Sequence, residues 1–279
     1  MYQDSFAGAA KRGFMSLPVA IRTLIAINVV VFILQAFLGQ NINRTIIESL
    51  AFNPDWTVAF TQPWRFVTYM FLHGSGFHLL FNMLWLWWMG RSVETTLGPR
   101  TFLVLYFGSG IGGAALNVIF SFLLGSSLVI GASGAVFGIM VSFAYLFPRT
   151  PIMLIFFPPI EARFVVAGLI ALDLLFIGSG DNIARAVHLG GAGVGYLLID
   201  YHYKGFDLSL LVRKIENLWQ KPAPKRKRNK NMYSVSDVKI VDETEESELD
   251  KILEKISEKG YDGLTDEEKK KLFDLSKRN

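Results

Sequence analysis

The chain contains no cysteine. Disulfides, thiolate metal ligands and a cysteine nucleophile are therefore excluded. Charge is scarce as well: Asp, Glu, Lys and Arg together make up 19% of the residues, and the long apolar runs hold very few of them. Asp173 is the only acid deep inside such a run. There is no internal repeat and no pair of interrupted half-helices, the sequence marks of many transporters. The first apolar run follows Lys11, Arg12 and Arg22, as a signal peptide would. It lacks a small-residue cleavage site after Phe37, so a retained helix is expected.

What the chain does have is apolar surface. Of 279 residues, 51% are hydrophobic and 14% aromatic. Several runs approach the roughly 20 residues needed to cross a ~30 Å hydrocarbon core. The expected fold class is all-α: a polytopic membrane bundle of six transmembrane helices, with a small cytosolic helical hairpin at the C-terminus. The spans are placed at about Thr23–Leu38, Phe77–Gly90, Thr101–Leu124, Ser133–Phe147, Phe164–Ile177 and Val187–Tyr201. A long loop from Gly39 to Gly76 carries Trp56, Phe60 and Trp64, aromatics suited to the membrane–water interface. The proline-broken stretch PIMLIFFPPI between spans four and five reads as a re-entrant or interfacial segment.

Basic residues set the orientation. With the N-terminus cytoplasmic, that side holds eleven: Lys11, Arg12, Arg22, Arg91, Arg100, Arg149, Arg163, Lys204, Arg213, Lys214 and Lys221. The other side holds three, Arg44, Arg65 and Arg185. This bias puts both termini in the cytoplasm, and a bacterial inner membrane is the expected location. The domain reading follows: a cytoplasmic segment 1–22, a membrane core 23–203, a basic juxtamembrane linker 204–242 and a tail 243–279. The run KPAPKRKRNK fits an anchor to anionic lipid. Within the tail, Leu249, Ile252, Leu253 and Ile256 recur at helical spacing. Thr265 and Glu268 form a capping box that starts a second helix carrying Leu272 and Phe273.

Ionisable groups inside a bilayer are costly and point to function. Four histidines are present, His73, His78, His188 and His202. At ~1.5 Å per helical residue, Ser133 stands roughly 21 Å above Phe147, His188 roughly 21 Å above His202 and His78 roughly 20 Å above Arg91. Asn82 lies one turn below His78 on the same face. Spans two, four and six run in the same direction, so all four residues reach about one depth. Close approach is provided by two glycine pairs, Gly134 with Gly138 and Gly191 with Gly195, together with Gly131 before the serine. Small residues four apart let helix backbones meet in lipid. Packing of span four on span six would set Ser133 against His188.

A serine hydroxyl becomes a nucleophile when a neighbouring base takes its proton. His188 is the expected general base and Ser133 the nucleophile. Asn82, His78 and the Ser133 backbone N–H are candidate donors to an oxyanion. Ser133 also opens span four, where the helix dipole favours negative charge. The chemistry is acyl transfer to water, hence peptide hydrolysis. Asp173 is expected to be satisfied locally in the bundle rather than to orient His188. Phe137, one turn below Ser133, is either a stacking partner of the imidazole or an ordinary core aromatic.

The motifs Trp64–Arg65, HGSGFHLLFNMLWLWWMG from His73, GASGAVFG from Gly131 and AVHLGGAGVGYLLID from Ala186 resemble, in order and spacing, the rhomboid intramembrane serine proteases. The resemblance implies a Ser133–His188 dyad, with His78 and Asn82 at the oxyanion. It also implies a bacterial-type six-helix core and a Trp–Arg loop lying partly in the outer leaflet. Single-pass membrane proteins would be substrates, cut at small residues after lateral entry. Phe137 departs from the tyrosine that many members carry; stacking survives the change and the phenol hydroxyl is lost. Transmembrane protein substrates and the lipid bilayer are thus the expected partners, with no nucleic acid and no cofactor. The alternatives are a catalytically inactive rhomboid-like protein that binds membrane clients, and a metalloprotease using His73, His78 and His188. The second lacks HExxH, and His73 and His78, five apart, share a helix face poorly.

Overall fold

The structure is a computed structural model, and the residues it describes are 6–124, 127–153, 158–176, 182–219 and 243–276. In chain order the helices begin with α1 (Phe6–Met15), α2 (Val19–Phe37), α3 (Gln40–Leu50), α4 (Trp56–Thr61) and α5 (Arg65–Thr68), which runs into a 3-10 turn at Tyr69–Phe71. Then come α6 (Gly76–Leu124) and α7 (Ser133–Leu146). Two short strands, β1 (Pro151–Ile152) and β2 (Ile160–Glu161), pair antiparallel, and α8 (Ala162–Leu175), α9 (Asn182–Tyr203) and α10 (Ser209–Trp219) follow. The last helices are α11 (Glu243–Lys259) and α12 (Asp266–Ser276). The chain falls into two compact units, residues 1–221 and 222–279.

In the first unit, α2 and the run Gly76–Ser121 are long and apolar enough to cross a membrane, and α7 is shorter and apolar. The outside of these helices is greasy. Val30, Leu34, Leu80, Phe81, Ile119 and Leu197 are exposed, while Asn28, Ser109, Asn117 and Ser142 are buried. Apolar surface turned outward over polar and small residues suits a hydrocarbon solvent.

Several expectations are corrected. The expected spans at Phe77–Gly90 and Thr101–Leu124 fall on two helical arms, numbered together here as α6; the first arm runs on past Gly90 through the polar stretch Arg91–Thr96 and ends only before Gly98. The break is a kink: Gly98 has φ 79° and Pro99 follows it. Proline has no N–H to give and disfavours a helical residue before it. The polar stretch is held by a specific task. Both oxygens of buried Glu94 accept first-turn amides of α2, from Ala20 and Ile21, at 2.8 Å each. Those amides have no partner within their own helix, and the carboxylate also complements its dipole.

The region Gly39–Gly76 is largely helical rather than a loop. Its backbone is satisfied by the Trp–Arg pair and its neighbours. At the end of α3, Arg65 donates to Glu48 O and Ala51 O, both at 2.6 Å. Trp64 Nε1 donates to Ser49 O at 3.3 Å, and Thr68 to Leu50 O at 2.7 Å. The carbonyls that a helix end leaves orphaned are thus taken up one after another. Trp56, Phe60 and Trp64 remain exposed. The ends of the proline-broken stretch form the β1–β2 ladder, and residues 154–157 lie outside the described residues. Within the expected linker, residues 209–219 form the helix α10, with Leu211, Ile215 and Leu218 at helical spacing. The basic run 221–230 lies outside the described residues.

Helices α7 and α9 pack through their glycines. A Cβ on Gly191 would fall 2.0 Å from Gly134 O, and one on Gly195 2.5 Å from Gly138 Cα. The backbones themselves are in contact, so no side chain larger than hydrogen fits at these positions.

In the second unit, Thr265 N donates to Glu268 Oε2 at 2.8 Å and Glu268 N to Thr265 Oγ1 at 3.4 Å, the reciprocal bonds of a capping box. Lys255 reaches Glu268 at 2.8 Å. Lys255 first, and then the Thr265 amide, hold the Glu268 carboxyl down at about 2.

Two predictions follow from this packing. Gly191→Ala should destabilise the membrane unit by about 1–3 kcal/mol, the usual range for overpacking, read as a lower unfolding midpoint in detergent; an unchanged midpoint contradicts the backbone contact. In the tail, Glu268 is the depressed-pKa case. Its contribution is complete above its ordinary value of 4.5 and is lost as pH falls toward 2. Carboxyl NMR of the full chain should show Glu268 titrating well below the other glutamates, and a midpoint near 4.5 contradicts the cap.

Candidate functional site

Gly131 adopts φ 123°, a backbone conformation reserved in practice for glycine. Its N–H donates to Tyr69 O at 2.9 Å, and two residues earlier Phe52 and Val129 exchange backbone bonds of 2.9 and 2.8 Å. The chain entering α7 is thereby stitched to the segment before α6. Ser133 is the first residue of α7.

His188 projects from α9 between three partners. Its Nε2 lies 2.7 Å from Ser133 Oγ. Its ring stacks on Phe137 at 4.6 Å between centroids and 7° between planes. Its Nδ1 lies 3.0 Å from Asp173 Oδ2 on α8. Of the two readings of Phe137, the stacking arrangement is the one present. The expectation for Asp173 is corrected: its carboxylate faces His188. Asp173 stands eleven residues into α8, about 16 Å along it, and so rises toward the level of Ser133.

His78 and Asn82 lie across a cavity of about 280 Å³ from the serine, with Phe81, Trp85, Val136, Met140 and Leu169 as apolar walls. The His78 ring rests against Gly131, where a Cβ would fall 2.6 Å from its Cε1 and Nε2. Only glycine leaves room for the ring there. Asn82 Nδ2 donates to His78 O, the carbonyl one turn back on the same helix, at 3.0 Å. All four polar residues expected at one depth thus line one cavity.

His73 is not among them. It is 2% exposed and meets His78 edge-on at 5.0 Å. Burial first, and the neighbouring His78 second, push it down to about 4, so it is neutral near pH 7. Among the described residues no three His, Cys, Asp or Glu converge as a metal-ligand set.

Comparison with known proteins places this geometry in context. The Rhomboid domain family matches residues 61–204, and a family of unknown function (DUF6576) matches residues 243–278. Rhomboid protein 1, mitochondrial, of Saccharomyces cerevisiae is 39% identical over 135 residues, covering 46% of this chain and 38% of that protein. Rhomboid protease GlpG of Serratia proteamaculans is 32% identical over 177 residues, 63% of this chain and 59% of its own length. Rhomboid protease GluP of Bacillus subtilis is 29% identical over 175 residues, 62% of this chain and 32% of its own. The chain therefore spans between a third and three fifths of the length of these relatives. With the matched domain covering more than half of its residues and enclosing both Ser133 and His188, the chain belongs to the rhomboid family, whose members are integral membrane proteins.

Proposed function

We propose that the chain is an intramembrane serine endopeptidase, hydrolysing peptide bonds in or near the transmembrane segments of single-pass membrane proteins. The observation that carries this reading is the 2.7 Å approach of His188 Nε2 to Ser133 Oγ. The rhomboid protease names of the bacterial relatives support the same class.

In this reading Ser133 Oγ attacks the scissile carbonyl while its proton passes to His188 Nε2. The carbonyl π electrons move to oxygen, and the resulting oxyanion is met by Asn82, His78 and the Ser133 N–H. When the tetrahedral adduct collapses, the C–N bond breaks and His188 protonates the departing amine. Water then attacks the acyl-serine while His188 takes its proton; the second adduct collapses, the C–O bond to Ser133 breaks, the carboxylic acid product leaves and His188 returns the proton to Ser133 Oγ. Phe137 holds the imidazole plane throughout.

The crossings in this reading are α2, the two arms of α6 on either side of Gly98, α7, α8 and α9. With 14 residues, α7 is only about 21 Å long, short of a ~30 Å hydrocarbon core. Its first residue, Ser133, then lies below the outer surface, in a cavity that water can reach from that side. The membrane core is taken as residues 23–203, preceded by the cytoplasmic segment 1–22 and followed by the basic linker 204–242 and a hairpin tail, 243–279. Both termini face the more basic side. Relatives come from mitochondria and from bacteria, so the reading names an integral membrane location and not the bacterial inner membrane that the sequence alone suggested.

The test is incubation of the purified full chain, in detergent, with a tagged single-pass membrane protein. Ser133→Ala and His188→Ala should remain folded and lose cleavage, and a chelator should leave the wild-type rate unchanged. Asn82→Ala should lower kcat by about 100- to 1,000-fold, the usual cost of one oxyanion donor. Normal cutting by Ser133→Ala contradicts the proposal.

A further inference from the structure

We propose that Asp173 is a positioning residue for His188, making the Ser133–His188 pair of this chain a three-residue relay of orientation. The inference rests on the serine endopeptidase reading above and deepens it.

The geometry is specific. A neutral imidazole carries one N–H donor and one bare acceptor nitrogen, and which nitrogen holds the proton is set by its partners. An ionised carboxylate only accepts. Asp173 Oδ2, 3.0 Å from Nδ1, therefore requires the proton on Nδ1. That leaves the Nε2 lone pair facing Ser133 Oγ at 2.7 Å, the tautomer a general base needs. Phe137 fixes the plane of the ring, but a stacking partner cannot choose between the two edge nitrogens. Asp173 can.

Both side chains are largely withdrawn from solvent, His188 at 20% and Asp173 at 17% exposure. Little water is left to compete for the bond. The register of the two helices is held by a second contact. Arg185, one turn before His188 on α9, donates through Nη1 to Phe176 O at 2.6 Å, just past the end of α8. The end of α8 is thus tied to α9 beside the Asp173–His188 bond, so the carboxylate does not depend on a wandering helix end. During the reaction the proton taken from Ser133 moves to Nε2 and leaves with the amine. The Nδ1 proton stays on the ring, and Asp173 remains a carboxylate that stabilises the transient imidazolium. An asparagine at this position can offer its NH₂ to Nδ1, which would drive the ring proton to Nε2 and turn a donor toward the serine.

The experiment compares wild type, Asp173→Asn and Ser133→Ala, each as the full chain in detergent micelles, with a labelled single-pass peptide as substrate. Separately, ¹⁵N-histidine-labelled protein is examined by NMR, with the His188 signals identified by their loss in His188→Ala. Asp173→Asn should lower kcat at least about tenfold, because the wrong tautomer disables the base, and leave KM within about twofold. Its NMR should show the ring proton leaving Nδ1, whereas wild type shows a protonated Nδ1 and a bare Nε2. An unchanged kcat overturns the proposal, as does a rise in KM alone, which would mark a role in substrate entry. A lower kcat with the His188 tautomer unaltered also overturns it. If Ser133→Ala cleaves at the wild-type rate, the underlying serine reading fails instead, and the NMR arm still reports on the Asp173–His188 bond.

Discussion

The arrangement depends on backbone-to-backbone contact between α7 and α9. In lipid there is little hydrophobic force to press helices together, so association relies on close van der Waals packing and polar contacts. Gly134 and Gly138 on one helix meet Gly191 and Gly195 on the other, at separations that exclude even a methyl group. Ser133 adjoins the first glycine pair, and His188 is three residues before the second. The distance between hydroxyl and imidazole is therefore inherited from the helix packing. Hydrogen bonding, stacking and the Asp173 contact refine the position of a ring that the glycines have already delivered.

Around that contact, the fold handles polar groups by assigning each to a backbone end. Glu94 occupies the N-terminal amides of α2. Arg65, Trp64 and Thr68 occupy the C-terminal carbonyls of α3. Arg185 takes the carbonyl of Phe176, after α8. These side chains sit at points where an apolar surrounding would make an unpaired N–H or C=O expensive. They also determine where each helix starts and stops, while the cavity beside Ser133 is lined by α6, α7, α8 and α9. Gly131 completes the frame by a different route, since its positive φ and missing side chain let His78 lie against the entry to α7.

Much of this was legible in the residues alone. Depth counting along Ser133, His188, His78 and Asn82 needs only helical rise, and those four residues line one cavity. The glycine pairs carried their meaning because nothing but close packing explains them at that spacing. Other features were hidden. Residues Gly39–Gly76 read as a loop because their helices are short, and the capping partners that support α3 come from up to 18 positions later in the chain. The run Arg91–Thr96 looked like a break because its polarity was visible, while the use of Glu94, 74 residues from Ala20, was not. The Asp173–His188 contact is not legible in the residues, because helical rise gives a side chain's depth but not the neighbour its face meets.

The central claim is that His188 activates Ser133 as a nucleophile. It is tested most directly by covalent trapping: the purified full chain is exposed to a fluorophosphonate, and its peptides are mapped by mass spectrometry. The account predicts a single adduct on Ser133 in the wild type, and no adduct when His188 is replaced by alanine. An unmodified Ser133 in the wild type, or equal labelling without His188, would contradict it.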